Sequence, residues 1–493
     1  MTKNIDENIR QFKSIYSDCA DIKMQEMYLG QGGCCKCFIA YIEVTCPGSG
    51  INSSSLGQFT EYLKDVPKEQ IALALDENRA GLSDFMHLDT VEEAAQAMLT
   101  GDAVLFVDGY GQALKLSDQG YPSMSLQETD SEKVIRGSNE GFTDSIKVNT
   151  ALVRRHLRST RLKCREVTKG LRSHTNVDIL YVKDLVKSGL VETVEQNLES
   201  YVIDHVGDSG ELEQFAEKKW YSPFPQIQTT KRPDVAVNAL LEGRVVVFSN
   251  NSPVAIILPT TMNNFLKTAD DYYNRTIAAS FARVIRYVAT FLSMTLPGLY
   301  LAVTNFHTQI LPTPLLLAFY NARLGCPFPQ VLEVLMMELA FELLREAGIR
   351  LPGAMGNTIG IVGGLIIGQA AVDANLVSPI VVILVAFTAL CSFAIPSEEF
   401  AFSFRILKFA VIVMSAWLGY FGFLISLFVV LLHLAKLKSC GYPYMMPFVG
   451  ADLSDGEDEK DSIIRFPLRK LWKRPIFTRV GERRKLRDKN EEK

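Results

Sequence analysis

The feature that most constrains this chain is a long stretch in which charged side chains are scarce. Most Lys, Arg, Asp and Glu residues of the 493-residue sequence lie before position 283 or after position 435. Four runs between those positions are apolar and long enough to cross a bilayer as helices: 284–304, 355–372, 376–395 and 409–432. The sequence therefore predicts an all-α membrane domain over residues 276–440, with about four transmembrane helices.

Basic residues around this region predict its orientation. They flank the first run and follow the last one, and they are Arg275, Arg283, Arg286, Lys436 and Lys438. Because cytosolic loops carry an excess of Lys and Arg, both ends are predicted to be cytosolic, which requires an even number of crossings. The loop 394–408 then lies on the opposite side, where Arg405 and Lys408 are expected to pair with the two glutamates of that loop. Residues 1–30 lack the apolar core of a signal peptide, so we expect the N-terminal part to stay in the cytosol.

An apolar helix predicted over residues 329–347 carries a stripe of acidic side chains. At 100° per residue, Glu338, Glu342 and Glu346 fall within about 80° of one another. An acidic stripe will not face lipid, so it lies at the membrane surface or faces a wet cavity, where rings of carboxylates favour cations. The alternative is an interfacial helix whose acids pair internally, Glu342 with Arg345 or Glu346 with Arg350.

Glycine recurs at every fourth position of the second apolar run, which leaves one helix face without side chains. The residues are Gly356, Gly360, Gly364 and Gly368. Such a groove lets helices approach closely in lipid, either within one subunit or in a helix that lines or supports a pore. In the second case Gln369 is a polar lining residue, and an apolar constriction is formed by Ile359, Val362 and Ile366.

The N-terminal half contains two similar patterns, which predict an α+β or α/β region built from two subdomains. Hairpin patterns at 104–116 and 245–258 align when Gly101 is paired with Gly243. Six positions are identical in that alignment: Ala94, Ala97, Leu99, Gly101, Val104 and Phe106 match Ala236, Ala239, Leu241, Gly243, Val246 and Phe248. We predict a polar N-terminal segment over 1–30, a first subdomain over 31–127, and a second over 128–275 that includes a helical connector.

The tail over residues 441–493 is acidic first and basic later, and it is predicted to be disordered. Six acids lie within 452–461 and eleven bases within 465–489. A basic segment with interleaved aromatic residues is expected to bind anionic lipid headgroups. We assign that role to Arg469, Lys470, Lys473 and Arg474. Nucleic acid is not expected as a partner, because no nucleic-acid-binding fold accompanies these bases.

The sequence contains no set of residues with the spacing of a catalytic, cofactor or metal site. It has neither a Walker loop nor a G-x-S-x-G motif, and its six histidines are far apart. Cys34, Cys35 and Cys37 form a C-C-x-C pattern without a second Cys or His pair at zinc-finger spacing. We therefore expect no enzyme activity, no metal and no cofactor.

Seven sequence blocks in one order carry a family resemblance, which is faint before Val104 and strong from about 104 to 450. They are LFVDGYGQALKL, VIRGSNEGFTDSIKVNTALVRRHLRSTRL, YSPFPQIQTTKRPDVAVNALLEGRVVV, DDYYNRTIAASFARVIRYVA, MMELAFELLREAGIRLP, GNTIGIVGGLIIGQAAVDANLVSPI and SFAIPSEEFAFSFRILKF. In these blocks the chain resembles the A subunits of GerA-type spore germination receptors. That family also includes the stage V sporulation AF-type proteins.

The resemblance implies a location, partners and an activity. It implies an integral protein of the inner membrane of endospores of Firmicutes, which works with a transporter-like B subunit and a C-subunit lipoprotein. It further implies a homo-oligomer that forms a nutrient-responsive cation channel, and it supplies no pore residue by itself. The alternatives are a non-conducting scaffold that clusters receptors and a stage V sporulation AF-type channel that amplifies ion release. A secondary transporter would show inverted repeats, which the four apolar runs do not.

Overall fold

The computed structural model describes residues 1–45, 85–116, 134–350, 368–450 and 457–486, together with positions 66–67, 71, 75, 132, 364 and 366. The chain forms two compact units. The N-terminal unit contains Met1–Trp220, Ile227–Thr260 and Leu471–Lys493. The helical unit contains Tyr221–Gln226 and Thr261–Lys470.

The described part of the first repeat is an antiparallel sheet with two helices. Its strands, in the spatial order β1-β2-β4-β5-β3, are β1 (Ile22–Leu29), β2 (Cys35–Ile42), β3 (Phe85–Leu88), β4 (Ala103–Val107) and β5 (Ala113–Leu116). Helices α1 (Ile5–Ile15) and α2 (Val91–Leu99) bury Phe12 and Met98 in a core with strand residues. Helix α2 begins after a capping box, in which Thr90 and Glu93 satisfy each other's backbone N–H groups.

The described part of the second repeat has the same strand order, β6-β7-β9-β10-β8. The strands are β6 (Leu162–Lys169), β7 (Thr175–Val182), β8 (Gln228–Thr230), β9 (Val245–Ser249) and β10 (Ala255–Leu258). Its helices are α3 (Ile146–His156), α4 (Leu190–Glu199), α5 (Ser209–Ala216) and α6 (Pro233–Leu241). The predicted duplication is confirmed, because the two sheets have the same strand order and their hairpins lie at the same place in that order. Short apolar identities that arise by chance would not produce this agreement.

One predicted boundary in this unit is wrong. Residues 5–29 are not a separate polar segment, since α1 and β1 belong to the first sheet and its core. The helical connector predicted within residues 128–275 is α3, which starts the second repeat as α1 starts the first. The prediction of a polar segment failed because α1 buries only a narrow apolar stripe and is otherwise polar.

The two repeats are joined inside the N-terminal unit by buried polar contacts. The guanidinium of Arg154, on α3, donates from Nη2 to Asp21 Oδ1 at 2.8 Å, and a second bond from Nε goes to the other carboxylate oxygen. Beside this pair, Cys19 and Cys164 form an isolated parallel β-bridge. A charge pair that is almost fully buried on both sides is costly to break by removing one partner.

Asp178, on β7 near this contact, predicts a pH dependence of stability. Burial raises the pKa of the Asp178 carboxyl to about 7, and Glu166 and Asp21 add repulsion. The folded state therefore binds this proton more tightly than the unfolded state, and stability falls as pH rises from about 4 to about 7. We expect Asp178→Asn to remove this slope and to raise the free energy of unfolding at pH 8 by about 4 kcal/mol.

The measurement is thermal unfolding of the purified chain from pH 5 to pH 8. Asp204→Asn is the matched control, because its carboxylate is 69% exposed. Equal slopes for the wild-type chain and Asp178→Asn would contradict the prediction.

The helical unit contains, in its described part, seven α-helices with defined bounds, the end of a further helix at 364–373, and a short β-hairpin. The helices are α7 (Met262–Leu266), α8 (Asp270–Tyr273), α9 (Thr276–Phe306), α10 (Thr313–Ala322), α11 (Gln330–Arg350), α12 (Pro379–Phe393) and α13 (Glu398–Lys436). The hairpin pairs β11 (Lys438–Ser439) with β12 (Tyr442–Pro443). Among the described residues, α9 and α13 are long and apolar enough to cross a membrane, by length and composition.

Helix α13 is a helical hairpin with its turn at Gly419, whose φ of 61° and ψ of −139° are not helical. Phe404 and His433 both lie against the ring of Phe224, at centroid distances of 5.4 and 6.0 Å. In a straight helix the two residues would be roughly 43 Å apart. The chain therefore runs up one arm, Glu398 to Leu418, and returns along a second arm, Tyr420 to Lys436.

This hairpin changes the predicted crossings. The prediction of one straight helix over 409–432 is wrong, because this run contains the turn at Gly419. The loop predicted over 394–408 is also wrong, since α13 begins at Glu398. The run 284–304 lies within α9, whereas α12 has 15 residues, fewer than the roughly 20 of a full crossing. The run 355–372 lies largely outside the described residues.

The predicted disorder of the tail is wrong for residues 457–486. Apart from the exposed Ile464, residues 461–465 are buried or half-buried in the helical unit, where Asp461 pairs with Arg283 and Lys267. In the N-terminal unit, Ile476, Phe477 and Thr478 are buried. A segment rich in charged residues can be ordered when its charged side chains pair with residues of a folded surface.

Candidate functional site

A buried ion pair joins α11 to the first arm of α13. The Lys408 ammonium lies 2.5 Å from Glu338 Oε2, and the two side chains are 6% and 2% exposed. One turn further along α11, Glu342 lies 3.3 Å from Arg405, which is one turn earlier on α13. The two helices therefore run in opposite directions, and the acids of one face the bases of the other.

These pairs leave some polar atoms unmatched. Glu338 Oε1 and the Nε and Nη1 atoms of Arg405 are buried and have no hydrogen-bond partner in the described part of the chain. The contact of Arg405 with Glu342 is thus an ion pair without hydrogen-bond geometry. Unmatched buried polar atoms carry a desolvation cost, so this seam holds charge where an apolar contact would be more stable.

A third acid of α11, Glu333, is fully buried at the N-terminus of α12. Its carboxylate accepts a hydrogen bond from the backbone N–H of Ser378 at 3.1 Å, and it lies 3.1 Å from Arg323. Ser378 is the N-cap of α12. A carboxylate at this end of a helix is favoured because the N-terminus carries partial positive charge.

The acidic stripe is thus divided by the structure. Glu338 lies inside the bundle and Glu342 is half-buried, and both pair with bases of α13 rather than with Arg345. The bases Arg405 and Lys408 pair with α11 rather than with glutamates of their own segment. Arg345 instead donates to Ser392 Oγ at 3.0 Å and lies over the Phe393 ring, and Glu346 is exposed. The spacing of the glutamates predicted the stripe but could not identify its partners, of which Lys408 lies 70 residues from Glu338 in the sequence.

The glycine-rich helix is described only at its C-terminal end. Gly356, Ile359, Gly360 and Val362 lie outside the described residues. A Cβ added at Gly368 would meet Val382 of α12 at 3.4 Å, whereas one added at Gly364 would meet no atom of the described chain within 4 Å. Positions 364, 366 and 368–373 are helical, and Ile366 and Gln369 are exposed. One face therefore packs inside the chain, while the described residues of this copy leave the face with Ile366 and Gln369 uncovered.

The four tail bases predicted to bind lipid are placed differently. Arg469 and Lys470 are exposed, while Lys473 and Arg474 are half-buried. The Arg474 guanidinium donates to the carbonyl oxygens of Glu482 and Arg484, so it holds a turn of the tail together. Lys473 lies over the Trp472 ring. Two of the four therefore have a structural contact in addition to the predicted lipid contact.

Sequence reasoning missed a charge network at the start of α9. The carboxylate of Asp461 lies 2.7 Å from Arg283 and 2.8 Å from Lys267, and it accepts from the Tyr272 hydroxyl at 2.6 Å. Burial alone would raise the pKa of Asp461, but Lys267 and Arg283 outweigh it and hold the pKa well below its usual range. In the sequence this acid is one member of a charged tail block, and its apolar neighbours 463–464 are the local sign that it could be buried.

Comparison with known proteins identifies the family. A family model described as Bacillus/Clostridium GerA spore germination protein matches residues 10–477. This chain belongs to the GerA family. The match covers the strands of both sheets and the helical unit.

Several relatives are similar over most of their length. An uncharacterized membrane protein of Bacillus subtilis, YfkQ, is 36% identical over 96% of this chain and 91% of its own. Spore germination protein B1 of Bacillus subtilis is 38% identical over 84% and 86%, and stage V sporulation protein AF of the same organism is 31% identical over 78% of each. The N-terminal domain of the A subunit of the Bacillus megaterium germinant receptor GerK3 is 23% identical and covers 52% of this chain and 95% of that domain, with a TM-score of 0.40.

The names of these relatives describe germination, sporulation or membrane proteins rather than enzymes. Within the described ranges, no group of three or more His, Cys, Asp or Glu side chains could hold a metal ion. The candidate site is therefore the polar seam of α11 and α13, with the partly exposed helix at 364–373.

Proposed function

We propose that this chain is the A-type subunit of a spore germinant receptor and that several copies assemble into a nutrient-gated cation channel. The channel lies in the inner spore membrane, with both chain termini in the cytosol. A transporter-like B subunit senses the nutrient, and a C-subunit lipoprotein completes the complex. Binding of the nutrient shifts the assembly from closed to open, because the partner has different affinity for the two states.

The exposed face with Ile366 and Gln369 carries this proposal. At 100° per residue the two side chains are about 60° apart, and Ile366 is about 160° from Gly368, which packs on α12. An uncovered amide in an apolar helix is unfavourable against lipid, since its polar atoms would lack partners there. A wet pore shared with other copies would satisfy the amide, with Ile366 as part of the apolar constriction.

The buried ion pair restricts which acids take part in conduction. Glu338 is inside one copy and salt-bridged, so its role in the proposal is to hold α11 on α13. Of the three stripe residues, Glu346 is exposed and can act on cation entry. In this proposal the two paired acids affect conduction through the stability of the bundle.

The test is cation flux through the purified chain in liposomes, with and without the B subunit and a nutrient mixture. Ile366→Ala should raise flux several-fold without nutrient, because a shorter side chain widens the constriction and admits water. Ile383→Ala is the matched control on α12, where the side chain is also exposed. It should leave flux unchanged, since α12 would face lipid.

Each outcome separates the hypotheses. Flux that rises with Ile366→Ala and not with Ile383→Ala supports a pore beside this helix. Flux equal to that of protein-free liposomes for every variant would contradict the channel and favour a non-conducting scaffold. An equal rise for both variants would mean a general loosening of the bundle and would remove Ile366 from the pore.

A further inference from the structure

The C-terminal segment of the chain is fastened at two points, one in each unit. Residues 461–465 are held in the helical unit, and residues 476–479 are held in the N-terminal unit. Residues 466–475 join the two anchors along the chain. Such an arrangement is unexpected for a basic tail, because charge-rich tails usually remain solvated.

The second anchor is a groove on the second repeat. Thr478 forms an antiparallel bridge with Val186, and the backbone N–H of Arg479 donates to the Leu185 carbonyl oxygen at 2.8 Å. The Thr478 hydroxyl donates to the carbonyl oxygen of Glu242 at 2.7 Å. Residues 475–478 form a turn, closed by a bond of 3.1 Å from the Thr478 N–H to the Pro475 carbonyl oxygen. The segment therefore docks through this turn and one β-bridge, with backbone bonds supplying part of the contact.

Side chains give this docking its specificity. The Phe477 ring lies 5.6 Å from the guanidinium carbon of Arg244. The Arg244 side chain is itself buried and fixed by hydrogen bonds to the carbonyl oxygen of Pro259 and to Gln228 Oε1. A ring over a desolvated cation is an attractive contact, and here the cation cannot move away.

Gly243 makes room for the docked segment. A Cβ at this position would lie 2.8 Å from Thr478 Cα, 2.9 Å from the Leu185 oxygen and 3.1 Å from the Phe477 oxygen. Its φ of +80° also disfavours any other residue. The backbone of the α6–β9 turn is thus shaped to accept another backbone at close range.

The first anchor is the network at the start of α9. Asp461 bonds Lys267, Tyr272 and Arg283. Four residues later, Arg465 donates to the carbonyl oxygens of Asp271 and Asn274, and its backbone pairs with the Ser280 hydroxyl. These contacts use both charge and backbone, so the segment is held in one register.

We propose that the groove formed by residues 185–188 and 242–244 is a docking site for the chain's own residues 476–479, and that the two anchors stabilise each other as a strap. Fixing one end of a short segment reduces the entropy that the other end loses on docking. Weakening the second anchor, at residues 476–479, should therefore also weaken the first anchor, at residues 461–465. The proposal goes beyond ion conduction, and its test does not use flux.

The test is hydrogen exchange of the full chain in detergent. Phe477→Ser removes the ring from Arg244 and should make the amides of residues 476–479 exchange roughly tenfold faster or more. The amides of residues 461–465 should also exchange faster. Phe466→Ser is the matched control, because this phenylalanine lies between the anchors and is 37% exposed. It should leave both anchors protected.

A covalent link tests the same idea in the opposite direction. Val186→Cys with Thr478→Cys, combined with Phe477→Ser, should restore slow exchange at both anchors after oxidation by oxidised glutathione and lose it again after reduction. Chains with only one of the two cysteine substitutions control for the native thiols. If Phe477→Ser speeds exchange at residues 476–479 alone, or if oxidation restores only that anchor, the anchors are independent and the strap is wrong.

Discussion

Lys408→Met should destabilise the chain by about 3–5 kcal/mol, the largest single effect expected in the helical unit. The substitution leaves the Glu338 carboxylate buried without a cation, and its Oε1 atom already lacks a partner among the described residues. A buried charge without a partner is far less favourable than the pair or than a neutral replacement. The measurement is thermal unfolding of the purified chain in detergent, together with its yield from membranes.

Two further variants determine the cause. Glu338→Gln combined with Lys408→Met should recover most of the loss, because replacing both charges leaves no uncompensated ion. Lys436→Met makes the same change at the exposed end of α13 and should alter stability by no more than about 0.5 kcal/mol. If Lys408→Met behaves like Lys436→Met, the pair does not exist in the bundle.

Gly419→Ala should destabilise the chain by about 2–3 kcal/mol, because both the backbone and the packing require glycine there. The residue has φ 61° and ψ −139°, a region that side chains strongly disfavour. An added Cβ would lie 2.8 Å from the Phe306 ring at the end of α9. A variant that straightened α13 would also separate Phe404 from His433.

The control for this variant is Gly364→Ala, where an added Cβ meets nothing of the described chain within 4 Å. In a helix, alanine at such a site is neutral or slightly stabilising. Thermal unfolding should therefore distinguish the two glycines clearly. An unchanged stability for Gly419→Ala would show that the apolar run continues as one straight helix and would restore the predicted crossing over 409–432.

Much of the fold could be predicted from local sequence patterns. The two hairpins and the alignment of Gly101 with Gly243 predicted the duplicated sheets, because strand periodicity and hairpin turns are local properties. Helix α9 could be predicted from the length of the apolar run 284–304. Family membership followed from seven motif blocks in order. Each of these inferences uses residues that are close together in the chain.

The inferences that failed depended on distant partners. Hydropathy treats residues 409–432 as one run, since its two glycines, Gly419 and Gly422, do not lower the hydropathy enough to indicate a turn. Local pattern places Lys408 in a loop because its partner, Glu338, is 70 residues away in sequence. The same pattern places the tail in solvent, although Asp461 and Phe477 find their contacts on surfaces built from much earlier residues. Local spacing cannot predict such pairs.

The duplicated sheets must keep two very similar hairpins apart while the chain folds. The residues that follow Gly101 and Gly243 are Asp102, paired with Lys115 at 3.0 Å, and Arg244, bonded to the Pro259 carbonyl oxygen and to Gln228. Lys115 and Pro259 belong to or directly follow the same hairpin as their partners, whereas Gln228 lies on the neighbouring strand β8. At this shared position the second repeat therefore has a bond that ties its hairpin to β8 of its own sheet, and the first repeat instead has an ion pair within its hairpin.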